Sequence, residues 1–239
     1  MKKQSNKTLV LGILLFISGT VVCAQNENKN NPIKPVTEEA KAKSDEDQEK
    51  IAAEWVTALN LNDADKESRV KAAIATHLKT IRDWHNEHPF TTVPAGINPA
   101  TGNKLSELDR QVIANSAMPK TVHEDLLNAL NKDLQPDQVE IILDKYTVGK
   151  VAFTMKGYKA IVPDLKPEEE AQILSYLKQA REQAIDYKNM NQISAIFEIY
   201  KTKSEQYLNS NGRNWKQLYK SYTDAVKAKK AAEKQNSNK

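Results

Sequence analysis

His85 and His88, three residues apart with Glu87 between them, are the residues in this chain whose types and spacing best suit a metal. On a helix such a pair occupies neighbouring positions, and imidazole with carboxylate suits zinc or a similar ion. Yet His88 abuts Pro89, and no second ligand pair is close in sequence. Histidines in a last helical turn also meet the negative end of the helix dipole, which is the reading adopted. No metal or other cofactor is expected, and His77 and His123 read as ordinary surface or partly buried histidines.

Catalytic patterns are missing elsewhere too. No serine lies in a nucleophile-elbow context, no glycine-rich phosphate loop follows a strand, and the one cysteine, Cys23, falls in an N-terminal apolar run. Glycoside hydrolysis needs two carboxylates at a set separation, but with 31 acidic residues on helical faces any pair can be proposed. Trp55, Trp84 and Trp215 could stack on sugar rings, but each falls on an apolar helical stripe, which points to core packing.

A polar group near the C-terminal end is more suggestive. Arg181 and Asp186 fall on a helix expected from Pro167 to about Tyr187, and the next helix carries Tyr200, Lys201 and Tyr207. Either an ion pair locks the two helices together, or a polar ligand pocket lies between them.

The elements that must position these groups are helices. Apolar residues return at helical spacing as Ile51, Trp55, Ala58 and Leu59, then Val70, Ile74, Leu78, Ile81 and Trp84. Leu105 to Ile113 gives a short helix stopped by Pro119, and Thr121 with Glu124 has capping-box spacing ahead of Leu126, Leu127 and Leu130. Further stripes run over Val139 to Leu143, Ile173 to Ala184 and Ile193 to Leu208. Asn211-Gly212 supplies a left-handed stop before a last helix from Trp215. Tyr146 to Val162 is rich in β-branched and aromatic residues, but no alternating hairpin pattern occurs, and it is assigned helical. The segment Pro89 to Asn103, with three prolines and two glycines, is either a lid-like binding loop or, as favoured, a long surface crossing.

Three helices share one kind of start: Leu61-Asn-Asp-Ala-Asp65, Leu134-Gln-Pro-Asp-Gln138 and Leu165-Lys-Pro-Glu-Glu169. Proline presets the helical φ, acids meet the positive helix end, and the leucine staples the entry. The fold class expected is all-α, one domain of antiparallel amphipathic helices over residues 48–226.

The ends differ in character. Lys2, Lys3 and Lys7 precede an apolar run from Leu9 to Val22, and Val22-Cys-Ala24 offers a cleavage site, so residues 1–24 read as a secretory signal. Cleavage is expected after Ala24, giving a periplasmic or secreted protein; a lipoprotein anchored at Cys23 is the lesser alternative because Val22 precedes it. The apolar run is short of the roughly 20 residues that span a bilayer, so no transmembrane segment is expected. Residues 25–47 lack large apolar side chains and read as a disordered leader, and residues 227–239 read as a basic disordered tail. Without the signal's lysines the chain is nearly neutral, which argues against nucleic acid as a partner.

One resemblance adds to this reading. Over Leu165 to Ile173, Ala180-Arg-Glu-Gln-Ala-Ile-Asp186, Phe197, Tyr200-Lys201, Tyr207-Leu208 and Gly212, the chain resembles the domain of unknown function family 3826. Upstream the resemblance continues through Trp55 to Leu59, Leu61-Asn-Asp63, Arg69-Val70, Gln138-Val139, Asp144 to Thr147, Gly157-Tyr158 and Val162-Pro163. Ile199, Thr202-Lys203 and Glu205-Gln206 stand where the family tends to show other polar or glycine residues, marking a divergent member. The resemblance implies an exported Bacteroidota protein with a sugar-binding role in polysaccharide utilisation, and ligand contacts at Arg181, Asp186, Tyr200 and Lys201, with Tyr207 beside them. The expected function is a non-catalytic accessory protein that engages carbohydrate. The alternative is a helical chaperone or protein-interaction module, because the leucine-led helix starts also resemble the motif of periplasmic Spy-type chaperones.

Overall fold

The computed structural model describes residues 37–99 and 101–237, so the expected signal and its cleavage site lie outside the described residues. Within them the chain forms α1 (Glu38–Thr57), α2 (Ala64–Glu87), α3 (Glu107–Asn115), α4 (Lys120–Asp133), α5 (Pro136–Tyr146), α6 (Lys150–Ile161), α7 (Pro167–Ala184), α8 (Met190–Ser210) and α9 (Trp215–Ser237). The all-α expectation holds: among the described residues the only β pairing is an isolated bridge between Ile97 and Lys104.

The leucine-led starts open α2, α5 and α7. Asp63 caps α2 by accepting Lys66 N at 2.9 Å. In α5 and α7 the proline takes the first helical position, and the side chain three residues past the cap reaches back. Gln138 accepts Gln135 N at 3.0 Å, and Glu169 accepts Lys166 N at 3.0 Å. Each device satisfies a donor that the helix itself leaves unpaired. The leucines complete the entry by burial: Leu134 belongs to the core, and Leu61 and Leu165 pack against it.

Two apolar clusters result. The first joins α1, α2, α4 and α5 through Val56, Val70, Ile74, Leu130 and Ile142, with Ile185 inserted from the turn after α7. The second joins α6, α7 and α8 through Tyr158, Ile173, Leu177, Ile196 and Leu208, with Trp215 and Leu218 of α9 packed on its edge. Trp55 and Trp215 are half-buried against these clusters, as their stripes predict. Gly212, at φ +84°, turns the chain between α8 and α9. Beside it Arg213 donates to the buried Glu169 at 2.7 Å and to Asp164 at 3.0 Å, tying this corner to the start of α7.

Several expectations are corrected. The leader was expected through residue 47, but α1 is helical from Glu38. Its polar first half is held by charge rather than by an apolar stripe: Arg82 of α2 pairs with Asp45 at 2.6 Å and donates to Ser44, while Lys71 and Lys79 hold Glu49. The tail was expected to be disordered from residue 227, but α9 continues to Ser237, its alanines, lysines and glutamines being good helix formers. The Thr121 capping box is not made, because α4 starts two residues earlier than that cap would place it, directly after Pro119. The crossing from Pro89 to Asn103 is pinned where described: Arg110 donates to Val93 O at 2.8 Å and lies over the Phe90 ring.

Candidate functional site

The turn that ends α7 is the convergence point of the molecule. Ile185 buries its side chain in the first cluster, which fixes Asp186 at the junction of α2, α4 and α7. Three of the four histidines then meet this one aspartate. His77 Nε2 lies 3.1 Å from Oδ1, His123 Nδ1 lies 2.9 Å from Oδ2, and His85 Nε2 lies 2.9 Å from the backbone carbonyl. An ionised carboxylate and a carbonyl only accept, so each of these imidazole nitrogens carries the proton.

Each histidine is fixed at its other nitrogen as well. His123 Nε2 donates to Glu182 at 3.0 Å, so both ring nitrogens are donors and the ring is a cation between two carboxylates. The hydrogen bonds from Asp186 and Glu182 raise its pKa to about 10. Burial pushes the Asp186 carboxyl up, but its bonds to His123 and His77 outweigh this and hold it below its usual value. His77 Nδ1 faces the Tyr146 hydroxyl at 3.1 Å, and burial raises that phenol's pKa well above 10, so it stays protonated. His85 Nδ1 accepts from Gln111 at 3.2 Å, and burial lowers its pKa, keeping the ring neutral. A continuous polar chain therefore runs Tyr146, His77, Asp186, His123, Glu182, from the core to the surface.

Its surface end opens into a cavity of about 510 Å³ between the start of α4, the end of α7 and α8. Carboxylates of Glu124, Glu182 and Asp186 line it together with the amides of Asn115, Gln179 and Gln183. Lys120, Met118, Pro119 and the half-buried Tyr200 close the remaining sides. The Lys203 ammonium sits 4.2 Å from the Tyr200 ring centroid and covers one of its faces.

Of the five residues singled out in the sequence, the structure brings two together. Asp186 and Tyr200 share the cavity. Arg181 does not pair with Asp186 or with α8: it is buried and reaches α5, donating to Asp144 at 2.7 Å and pairing with Glu140 at 2.7 Å. The expected ion pair between α7 and α8 is not made by Arg181, whose ion pairs tie α7 to α5 instead. Lys201 pairs with Glu198 at 2.9 Å, one turn back on its own helix, and its carbonyl accepts the Tyr158 hydroxyl. Tyr207 meets Tyr176 edge to face.

The histidine expectations are corrected in part. His77 is fully buried at 3% exposure rather than at the surface or partly buried, whereas His123 is partly buried as expected but serves as a bridging cation. His85 and His88 do not converge: His88 stacks on Trp84 at 3.7 Å and bonds its carbonyl, while His85 turns inward to Asp186. Among the described residues no set of three His, Cys, Asp or Glu is arranged to hold a metal ion.

Fold and site together define an all-helical protein with a polar cavity backed by a buried histidine–aspartate cluster. The chain belongs to the family described as protein of unknown function, DUF3826, whose model matches residues 25–228. No curated protein matches the chain.

Proposed function

We propose that this protein binds a carbohydrate, without transforming it, in the cavity formed by His123, Glu182, Asp186 and Tyr200. The observation that carries this reading is the lining: carboxylates and amides that accept and donate to hydroxyl groups, set beside an aromatic edge in a pocket of ligand size. The sugar-binding role that the sequence resemblance implies points the same way.

The protonation states of His123 and Asp186 favour binding over turnover at these two groups. A general acid or base works best with a pKa near the operating pH. His123 is a cation up to about pH 10, and Asp186 is held ionised, so neither exchanges a proton readily near neutrality. Such groups are built to present fixed charges and fixed hydrogen bonds.

The N-terminal pattern and a family match that begins at residue 25 support export, and with it an accessory role in polysaccharide utilisation. No helix among the described residues is long and apolar enough to cross a membrane. The test is a thermal-shift screen of the protein against a panel of plant and host glycans. A glycan that raises Tm by several degrees in wild type but not after Gln183→Trp, which fills the cavity, supports the reading; a panel without a shift removes it.

A further inference from the structure

We propose that the ligand is a linear, neutral oligosaccharide that continues out of the Asp186 cavity along the exposed face of α7. This rests on the carbohydrate reading of that cavity and specifies chain length and charge.

A second open pocket of about 520 Å³ is lined by Ala171, Leu174, Ser175, Lys178, Gln179 and Glu182. Gln179 and Glu182 also line the first cavity, so the two adjoin along α7. The strip from Ala171 to Glu182 extends about 16 Å at the helical rise, further than a single sugar ring reaches. A ligand that fills both parts must be a chain.

The groove offers what successive sugar units need. Gln179 Nε2 donates to Ser175 Oγ at 3.3 Å, which leaves the serine proton and the amide oxygen facing solvent. Half-buried Leu174 gives an apolar patch between them. Lys178 is fixed by Glu140 at 2.9 Å, so its charge is already balanced, and Glu182 keeps one oxygen beyond its bond to His123. Exposed Glu124 adds a further negative charge at the far end. Three carboxylates (Glu124, Glu182 and Asp186) and three cations (Lys120, His123 and Lys178) line the path, so it carries no net positive charge to draw uronate or sulfated chains and fits neutral ones.

The experiment is isothermal titration calorimetry of the full chain with glucose, xylose and arabinose, with their β-1,4-glucan, β-1,4-xylan and α-1,5-arabinan oligomers of two to six units, and with oligogalacturonides. One neutral series should tighten at least tenfold between one and four units and then level off. Ser175→Trp, on the exposed face, should abolish that gain while leaving the single-unit affinity within twofold of wild type. Equal affinity for one and six units, no effect of Ser175→Trp on the longer oligomers, or tighter binding of oligogalacturonides overturns the groove proposal alone. Absence of binding by every series overturns the cavity reading as well.

Discussion

His123 Nδ1 lies 2.9 Å from Asp186 Oδ2, a bond that joins α4 to the turn after α7 across 63 residues of chain. The same ring donates to Glu182, so one imidazolium fixes both carboxylates at the back of the cavity. Both the stability and the ligand chemistry proposed here hang on that cation.

Its titration gives the first prediction. The folded pKa of about 10 lies above the ordinary 6.5, so the native state holds one proton more than the unfolded chain between these values. Stability from this group is complete below about pH 6.5 and drains away as pH rises to 10, by at most about 1.4 kcal/mol per pH unit. Urea denaturation across that range should show the slope in wild type and its loss in His123→Gln. Parallel curves for the two proteins contradict the bridging cation.

Asp186→Asn leaves the His123 cation partly buried against a neutral group and replaces one of the two oxygens, Oδ1 facing His77 or Oδ2 facing His123, with a donor. Breaking one side of such a pair costs about 3 kcal/mol. The His85 bond is to the Asp186 carbonyl and survives the change. Denaturant midpoints should fall accordingly, and a loss under about 1 kcal/mol is incompatible with the clamp.

Arg181→Ala tests the reassignment of a residue first expected to touch ligand. Its guanidinium is 3% exposed at the side chain and serves Glu140 and Asp144. Truncation removes the buried guanidinium and its stem but leaves Asp144 and Glu140 partly exposed, with Glu140 still paired to Lys178, and should cost roughly 1–2 kcal/mol in unfolding free energy. Glycan affinity of the folded fraction should stay within threefold of wild type; a selective loss of affinity returns Arg181 to the site.

Glu169→Gln should weaken the corner between α7 and α9. The Arg213 hydrogen bonds outweigh burial and lower the Glu169 pKa to about 2. A depressed carboxylate pKa stabilises above the ordinary 4.5 and is lost as pH falls toward 2. The variant should therefore lose stability at pH 7 while matching wild type near pH 2, measured by chemical denaturation at both values.

Much of the fold was legible because helical stripes and caps are local. Val70, Ile74 and Ile81 repeat at the spacing that buries them, and Pro136 and Pro167 mark helix starts by their fixed φ. What composition hid was helix held by charge: the first half of α1 lacks large apolar residues, and Arg82, Lys79 and Asp83, far along α2, show why it is ordered. The site was illegible for the same reason in stronger form. Asp186 stood out, but His77 and His123 lie 109 and 63 residues from it, and no spacing rule links them. A half-signal existed: a chain with few histidines placed two of them, His77 and His85, two turns apart along α2, the spacing at which residues share a helix face.

The most direct test of the central claim is calorimetric titration of the tightest-binding glycan into wild type and Gln183→Trp at pH 7. Gln183 is exposed and lines the cavity without bonding the His123–Asp186 cluster, so the variant should fold with an unchanged Tm. A loss of affinity of at least a hundredfold is expected in Gln183→Trp. Equal affinity in the two proteins places the ligand elsewhere and contradicts the cavity reading.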